Sequence, residues 1–301
     1  MNLILMVSTY EDLTSPLKVE GRENVSADIL NILDELNLNE HDLFHLKELS
    51  PYLILDGHRT GIQDHEEHPA RGYIEGAKFS LRFARIFQEM GGKETTFLIH
   101  TLRNYSTMDR MHSIFDAVGD IGRRFIKKAR LADIKLRYYG ENVRTTYALA
   151  EIINQAELAT QDCQSFNLNF LTNYSEEWAN ANYDQISDLP NISIIGRFTK
   201  GHYSGAGIPG HADKSNFVYI QQASVSENWS DEEIIVLILT LLKGHLALKG
   251  YVGGKSYGKE ERMLIRQRRE LELFEENIRL STHPSKRITS FSPMGPITVY
   301  F

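Results

Sequence analysis

The chain alternates between short apolar runs and longer segments in which apolar residues recur every three or four positions. The short runs predict buried strands, and the longer segments predict helices that cover them. Strands are predicted at 52–55, 95–99, 134–139, 166–171, 192–195 and 217–220, the last of the series. Helices are predicted at 26–36, 40–49, 76–90, 108–131, 145–159, 230–248 and 259–279. This alternation predicts an α/β fold with a mostly parallel central sheet flanked by helices.

The chain divides into three predicted parts. Residues 1–50 form an N-terminal helical extension, residues 51–250 form the α/β domain, and residues 251–301 form a C-terminal helix and tail. A glycine-rich stretch at 250–258 marks the second boundary. The helix at 230–248 begins with Ser230-Asp231-Glu232-Glu233, a capping box.

Composition and charge exclude several classes of function. The 301 residues include 33 Lys and Arg against 40 Asp and Glu, and this acidic balance argues against nucleic-acid binding. Cys163 is the single cysteine, which excludes an intramolecular disulfide framework and a multi-cysteine zinc site. No apolar run approaches the ~20 residues that cross a bilayer. We therefore expect no integral membrane segment and a cytoplasmic location.

The residues Asp56, Gly57, His58 and Arg59 directly follow the first predicted strand. Ligands of parallel α/β sheets bind beyond the carboxyl ends of the strands. A carboxylate suits Mg²⁺, a glycine lets backbone N–H groups approach a phosphate, and an arginine adds charge-assisted hydrogen bonds. An ordinary Asp-Gly turn is the alternative, and these four residues taken alone favour it.

Residues 52–59 also resemble the strand and phosphate loop, Met-Asp-Gly-Asn-Gly-Arg, of the cis-prenyltransferases, the undecaprenyl diphosphate synthase family. Five further segments resemble motifs of that family in the same order. They lie at 74–78, 98–105, 134–140, 168–174 and 210–217. The resemblance covers about residues 50–240, so residues 51–250 are identified as a cis-prenyltransferase-like domain.

This resemblance implies an activity and a set of site residues. Family members transfer the prenyl group of an allylic diphosphate to isopentenyl diphosphate, use Mg²⁺ and work as dimers. Asp56 matches the aspartate that holds the metal, so we expect it to be both metal ligand and catalytic residue in a homodimer. The predicted substrate-binding residues are Gly57, His58, Arg59, Arg71, Arg103, Asn104, Arg197 and Ser215.

The acceptor motif departs from the family pattern. His211 stands in place of the family's glutamate, Asp213 in place of its second arginine, and an insertion separates Arg197 from Gly210. An aspartate against a phosphate argues against isopentenyl diphosphate as acceptor. His211 is a candidate metal ligand or catalytic base. His202 competes for that role, and a loop without function is an equally weighted alternative.

These observations lead to a preferred function and to competing ones. We expect a prenyltransferase that ionises an allylic diphosphate and delivers the prenyl group to a second allylic diphosphate or a small metabolite, or cyclises it. The alternative is a non-catalytic subunit that pairs with an active cis-prenyltransferase. An ordinary chain-elongating synthase is disfavoured by His211 and Asp213. Phe79, Phe83 and Phe87 could line a hydrocarbon tunnel, but their spacing favours simple core.

Overall fold

The computed structural model describes residues 31–34, 36–55, 70–101, 108–141, 147–198, 207–211, 216–221, 229–251, 287–292 and 295–300. Residues 31–34 are helical, and a 3-10 helix spans Asp42–Glu48. The α-helices are α1 (Ala70–Glu89), α2 (Met108–Leu131), α3 (Tyr147–Thr160), α4 (Glu176–Ala181), α5 (Tyr183–Ile186) and α6 (Asp231–Tyr251). The strands are β1 (Pro51–Ile54), β2 (Glu94–Leu98), β3 (Ile134–Tyr139), β4 (Phe166–Leu171), β5 (Ile194–Phe198), β6 (Asn216–Gln221), β7 (Arg287–Ser292) and β8 (Gly295–Tyr300).

The strands form one sheet in the order β3-β4-β2-β1-β5-β6-β7-β8. The first six strands of this order, which are β3, β4, β2, β1, β5 and β6, pair in parallel with their neighbours. The last two strands are antiparallel, because β7 pairs antiparallel with β6 and β8 pairs antiparallel with β7. The predicted α/β class with a mostly parallel sheet is therefore confirmed.

Most predicted elements are found within one to three residues of their predicted ends, and α2, β3 and β4 have the predicted bounds. Placing the last strand at 217–220 was wrong, because the tail adds the hairpin of β7 and β8 to the sheet. The predicted helix at 40–49 is instead a 3-10 helix. The predicted helix at 259–279 lies outside the described residues. The domain boundaries at 50 and 250 stay predictions.

The strands bury alternate side chains on opposite faces of the sheet, as the two-residue period requires. Leu53 and Phe97 point into a large core beneath α1, α2, α3 and α6. Ile54 and Leu98, their neighbours in sequence, belong to a smaller core that α4, α5 and the segment around Ile208 cover. Burial on both faces explains why these strands are continuous apolar runs.

Aromatic rings fill the centre of the large core. The ring of Phe79 on α1 meets Phe198 and Trp229 edge-on, each with a centroid distance of 5.6 Å. Phe83 meets Phe97 edge-on at 5.7 Å. These edge-to-face contacts fix helix α1 against β2 and β5.

The amino end of α6 is tied to α1 by a cluster of charges. Ser230 and Glu233 form the predicted capping box, with the Glu233 N–H donating to Ser230 Oγ at 3.2 Å and the Ser230 N–H donating to Glu233 Oε2 at 2.7 Å. The Arg82 guanidinium pairs with the buried Asp231 carboxylate and donates to the Trp229 carbonyl at 2.8 Å. An aspartate in the first helical turn also interacts favourably with the helix dipole.

None of the helices in the described ranges combines the length and apolarity of a membrane span.

We predict that Arg82→Gln lowers the free energy of unfolding by about 2 kcal/mol or more, because it leaves a buried carboxylate without its main countercharge. The matched control is Lys78→Gln, which removes the more exposed partner of Glu75 on the same helix and is expected to cost at most about 0.5 kcal/mol. Urea unfolding at neutral pH measures both. Equal losses in the two variants would contradict the structural role assigned to Arg82.

Candidate functional site

Many of the sequence-predicted site residues lie outside the described part of the chain. This holds for Asp56, Gly57, His58 and Arg59, and likewise for Arg103, Asn104 and Ser215. The backbone of Arg71 belongs to α1, but its side chain is not described. The described range 36–55 ends at Leu55, which follows the last residue of β1 and directly precedes Asp56. These assignments stay predictions.

Arg197 is described and lies near the carboxyl end of β5. Its backbone pairs with Ile54 of β1 on one side and with Tyr219 of β6 on the other. The residue is only 5% exposed. Burying a guanidinium is costly unless anionic or hydrogen-bonding groups surround it. Arg197 therefore brings a permanent positive charge to the edge of the sheet that precedes Asp56.

An apolar cavity opens on the helix-covered face of the sheet, at the carboxyl ends of β2 and β4. It encloses about 750 Å³ of empty space, including the part open to solvent. Its wall is formed by Tyr73, Ala77, Ile99, His100, Ile114, Ala117, Gly122, Phe125, Ile126, Tyr138, Ile152, Ile153, Phe170 and Thr172. An apolar wall with few polar groups is typical of small-molecule sites.

Phe79, Phe83 and Phe87 do not belong to this wall. All three are at most 2% exposed and pack within the large core. The preference for core over tunnel at these positions is confirmed. The cavity instead lies farther along the sheet, between α1, α2 and α3.

His100, which sequence reasoning missed, is a polar group in the cavity wall. It is 4% exposed, and its Nε2 lies 2.8 Å from Asn173 Oδ1. Asn173 Nδ2 donates to the Glu141 carbonyl at 3.1 Å, so the amide oxygen is the atom that faces the imidazole. Because this oxygen can only accept, the hydrogen-bond pattern assigns the imidazole proton to Nε2. Thr172 Oγ1 completes the group at 3.3 Å from Nδ1 and 3.0 Å from Nε2.

The backbone around this group permits few side chains. A Cβ at Gly140, whose φ is +150°, would lie 1.6 Å from the Thr172 carbonyl oxygen. Asn173 has a φ of +51°, a left-handed conformation that asparagine tolerates better than most residues. The Thr172 N–H also donates to the Tyr139 carbonyl at 2.9 Å. These constraints hold the ends of β3 and β4 rigidly beside His100.

Burial lowers the pKa of His100 from 6.5 to about 4, because the apolar surroundings disfavour the imidazolium. The hydrogen bond with Asn173 acts in the opposite direction and offsets only part of this effect. The imidazole is therefore neutral at neutral pH. A histidine directly after an apolar strand was the sequence signal that could have identified it.

His211 lies at the edge of the sheet where the strands begin, opposite the edge where the cavity opens. Its carbonyl accepts a hydrogen bond from the Ile192 N–H at 2.8 Å, just before β5 begins, whereas Arg197 is near the end of that strand. A five-residue strand is about 16 Å long. The ring of His211 is tilted by 33° to that of Tyr183, with a centroid distance of 6.0 Å, and neither ring nitrogen of His211 has a hydrogen-bond partner among the described residues. The structure does not bring His211 to the cavity, and its predicted catalytic role stays a prediction.

Comparisons with known proteins give a relative in sequence. No family model matches the chain. The tritrans,polycis-undecaprenyl-diphosphate synthase (geranylgeranyl-diphosphate specific) of Halobacterium salinarum is 27% identical over 125 residues. The match spans 40% of this chain and 41% of that enzyme.

Two solved structures share the fold. Lavandulyl diphosphate synthase from Lavandula x intermedia, crystallised with dimethylallyl diphosphate, matches with a TM-score of 0.55 at 13% identity, over 64% of this chain and 94% of that one. A probable undecaprenyl diphosphate synthase from Campylobacter jejuni matches with a TM-score of 0.50 at 12% identity, over 71% and 98%.

The chain is thus similar to a cis-prenyltransferase in sequence over 125 residues and shares its fold with two further prenyl diphosphate synthases. The resemblance drawn from the ordered motifs is thereby confirmed. The cavity, Arg197 and the end of β1 share the carboxyl edge of the sheet, the edge at which parallel α/β sheets bind ligands.

We predict that, as the pH is lowered, the free energy of unfolding of the wild type decreases more steeply than that of a His100→Gln variant. The folded-state pKa is lower than the unfolded one, so the unfolded chain binds more protons between pH 6.5 and 4. The stabilisation is complete above pH 6.5 and is lost as the pH falls towards 4. Between pH 7 and 4 the wild type should lose about 3 kcal/mol more than the variant. Denaturant unfolding at the two pH values measures this, and parallel losses would contradict the buried neutral imidazole.

Proposed function

We propose that this protein is a prenyltransferase that ionises an allylic prenyl diphosphate with Mg²⁺. The prenyl group then passes to an acceptor other than isopentenyl diphosphate, either a second allylic diphosphate or a small metabolite, or the donor cyclises. The observation that carries the proposal is the apolar cavity, which opens at the same edge of the sheet as the buried Arg197. An apolar wall at the sheet edge where β1 ends, directly before Asp56, fits a ligand with a hydrocarbon tail and an anionic head.

The names of the relatives support the same class of donor. The Halobacterium enzyme is described as specific for geranylgeranyl diphosphate, and the lavender enzyme was crystallised with dimethylallyl diphosphate. Both compounds carry a diphosphate on an isoprenoid chain. We infer that the cavity holds the chain and that the residues after β1 meet the diphosphate.

The residues at this edge fit Mg²⁺ through Asp56. The described residues contain no cluster of three or more potential metal ligands. Mg²⁺ commonly binds one or two carboxylates together with substrate phosphates and water, so a single aspartate beside a diphosphate is a suitable donor set. When bound, the ion would neutralise negative charge on the departing diphosphate.

The protein's own groups supply the remaining chemistry in this proposal. Gly57, His58 and Arg59 bind the diphosphate, with Arg71, Arg103 and Asn104 as further ligands. Arg197 binds the anionic group of an acceptor, whereas Ser215 directly precedes Asn216, which pairs with Ile194 at the amino end of β5, so its predicted binding role is left out of the mechanism. Fixed positive charges aimed at the leaving group stabilise the transition state without reorganisation.

The non-standard acceptor is supported by Asp213 and His211, which stand where the family has an arginine and a glutamate. We leave the catalytic role of His211 out of the proposed mechanism, because His211 lies by Ile192 at the amino edge of the sheet. The retained cavity favours an enzyme over a non-catalytic subunit. A homodimer and a cytoplasmic location remain parts of the proposal.

We predict that Asp56→Asn lowers the rate of pyrophosphate release by about 10²- to 10³-fold, because the substituted side chain loses the charge that holds Mg²⁺. The assay uses dimethylallyl, geranyl and farnesyl diphosphate with Mg²⁺, with and without a chelator. Asp64→Asn, eight residues along the chain, is the matched control and should keep wild-type turnover. Unchanged turnover in the Asp56 variant would contradict the mechanism.

We predict that Ala117→Leu shortens the longest donor that the enzyme accepts. Ala117 is 2% exposed and lies in the cavity wall, so a larger side chain occupies space meant for the hydrocarbon. The ratio of kcat/KM for farnesyl to that for dimethylallyl diphosphate should fall at least about tenfold, the effect of a few lost methylene contacts. The control is Asp116→Leu on the exposed neighbouring position. An unchanged ratio would mean that the chain binds elsewhere.

A further inference from the structure

His100 differs chemically from the rest of the cavity wall. Among the described residues that form the wall, it is the one side chain with a basic nitrogen, and the other polar members are the hydroxyl groups of Tyr73, Tyr138 and Thr172. The phenol of Tyr138 is no substitute, because burial raises its pKa far above neutrality. A single imidazole in an apolar wall is a costly feature to bury without a purpose or a partner.

The position and tautomer of His100 are fixed by the surrounding chain. Asn173 Oδ1 accepts the proton on Nε2 at 2.8 Å, which leaves the lone pair of the neutral imidazole on Nδ1. Thr172 Oγ1 lies 3.3 Å from Nδ1, a long hydrogen bond whose hydroxyl rotates to suit its surroundings. The close approach of Gly140 to the Thr172 carbonyl keeps this arrangement in place.

We propose that His100 is a catalytic base, whose Nδ1 accepts the proton lost from the carbocation when the product forms. This inference rests on the proposed function, and it assigns a described residue of the cavity wall to the step in which the proton is removed. Asn173 is a positioning residue, because it acts through the tautomer and orientation of His100.

The step balances with the groups at hand. The C–O bond of the allylic diphosphate breaks, and both electrons leave with the diphosphate. The π electrons of an alkene, in the acceptor or in the donor itself, then form the new C–C bond and create a carbocation. A proton on the neighbouring carbon passes to Nδ1 of His100, and its C–H electrons become the new double bond. The imidazolium finally gives the proton to the released diphosphate or to water.

A weak base suffices for this step. The low pKa of His100 keeps the imidazole neutral, so the lone pair is present before each turnover. Hydrogen atoms beside a carbocation are strongly acidic, and the reaction does not need a strong base to remove them. A weakly basic imidazole also loses the proton readily afterwards, which regenerates the enzyme.

The experiment compares wild type with His100→Gln, which keeps hydrogen-bonding capacity but lacks a basic lone pair. The probes are dimethylallyl diphosphate alone and dimethylallyl with isopentenyl diphosphate, each with Mg²⁺. We measure pyrophosphate release, the ratio of alkene products to water-quenched alcohols, and the isotope effect for an acceptor deuterated at the carbon that loses its proton. The matched control is His112→Gln, which makes the same change at an exposed histidine of α2.

In His100→Gln, the ratio of alkene to alcohol should fall at least tenfold, and the isotope effect should increase. Asn173→Gly, which suits the positive φ, should shift the ratio in the same direction by a smaller amount. This second variant keeps the test valid if the first does not fold.

Two failures are distinguishable. If the wild type releases pyrophosphate and both variants keep its product ratio and isotope effect, His100 has only a structural role and this inference is overturned. If the wild type releases none with dimethylallyl, geranyl or farnesyl diphosphate, the proposed function is overturned and this inference falls with it.

Discussion

A parallel sheet must be covered on both faces, and the way this chain meets that requirement decides where a ligand can bind. The helices α1, α2, α3 and α6 cover one face, while two short helices and a loop cover the other. Aromatic rings fill the large core beneath α1 and α6, where Phe79 meets Trp229. Between α1, α2 and α3 the side chains leave the cavity open. The same apolar side chains that stabilise the sheet therefore provide the wall of the candidate site.

Two polar groups of this wall occur where the strands end. His100 and Thr172 lie just past the ends of β2 and β4, where strand backbone hydrogen bonding stops and side chains supply partners instead. Arg197 occupies the corresponding edge of β5. The division into an apolar interior and a polar edge matches the two halves of a prenyl diphosphate. It also leaves His100 shielded from water, and this burial keeps the imidazole neutral.

The outcomes at single residues show which inferences a sequence supports. Phe79 and Phe83 were expected in the core because helical spacing places them on the buried stripe, and they are there. His211 was matched to a family position by sequence order, yet its carbonyl is hydrogen-bonded to Ile192, just before the amino end of β5 and away from the cavity. Sequence order cannot show this, because the length of an insertion does not reveal the path of the chain. The hairpin of β7 and β8 was missed because its pairing with β6 joins residues about seventy positions apart.

The sequence by itself determined the α/β class, the bounds of α2, β3 and β4, the capping box at Ser230 and the resemblance to cis-prenyltransferases. Each of these depends on residues near one another in the chain, whose periodicity and order can be read directly. Only the tertiary structure decided that His100 and Thr172 share a wall with Ala117, and that Gly140 must be glycine. Those relations arise where distant strands end side by side. Close packing across the sheet creates them, and no local pattern in the sequence encodes them.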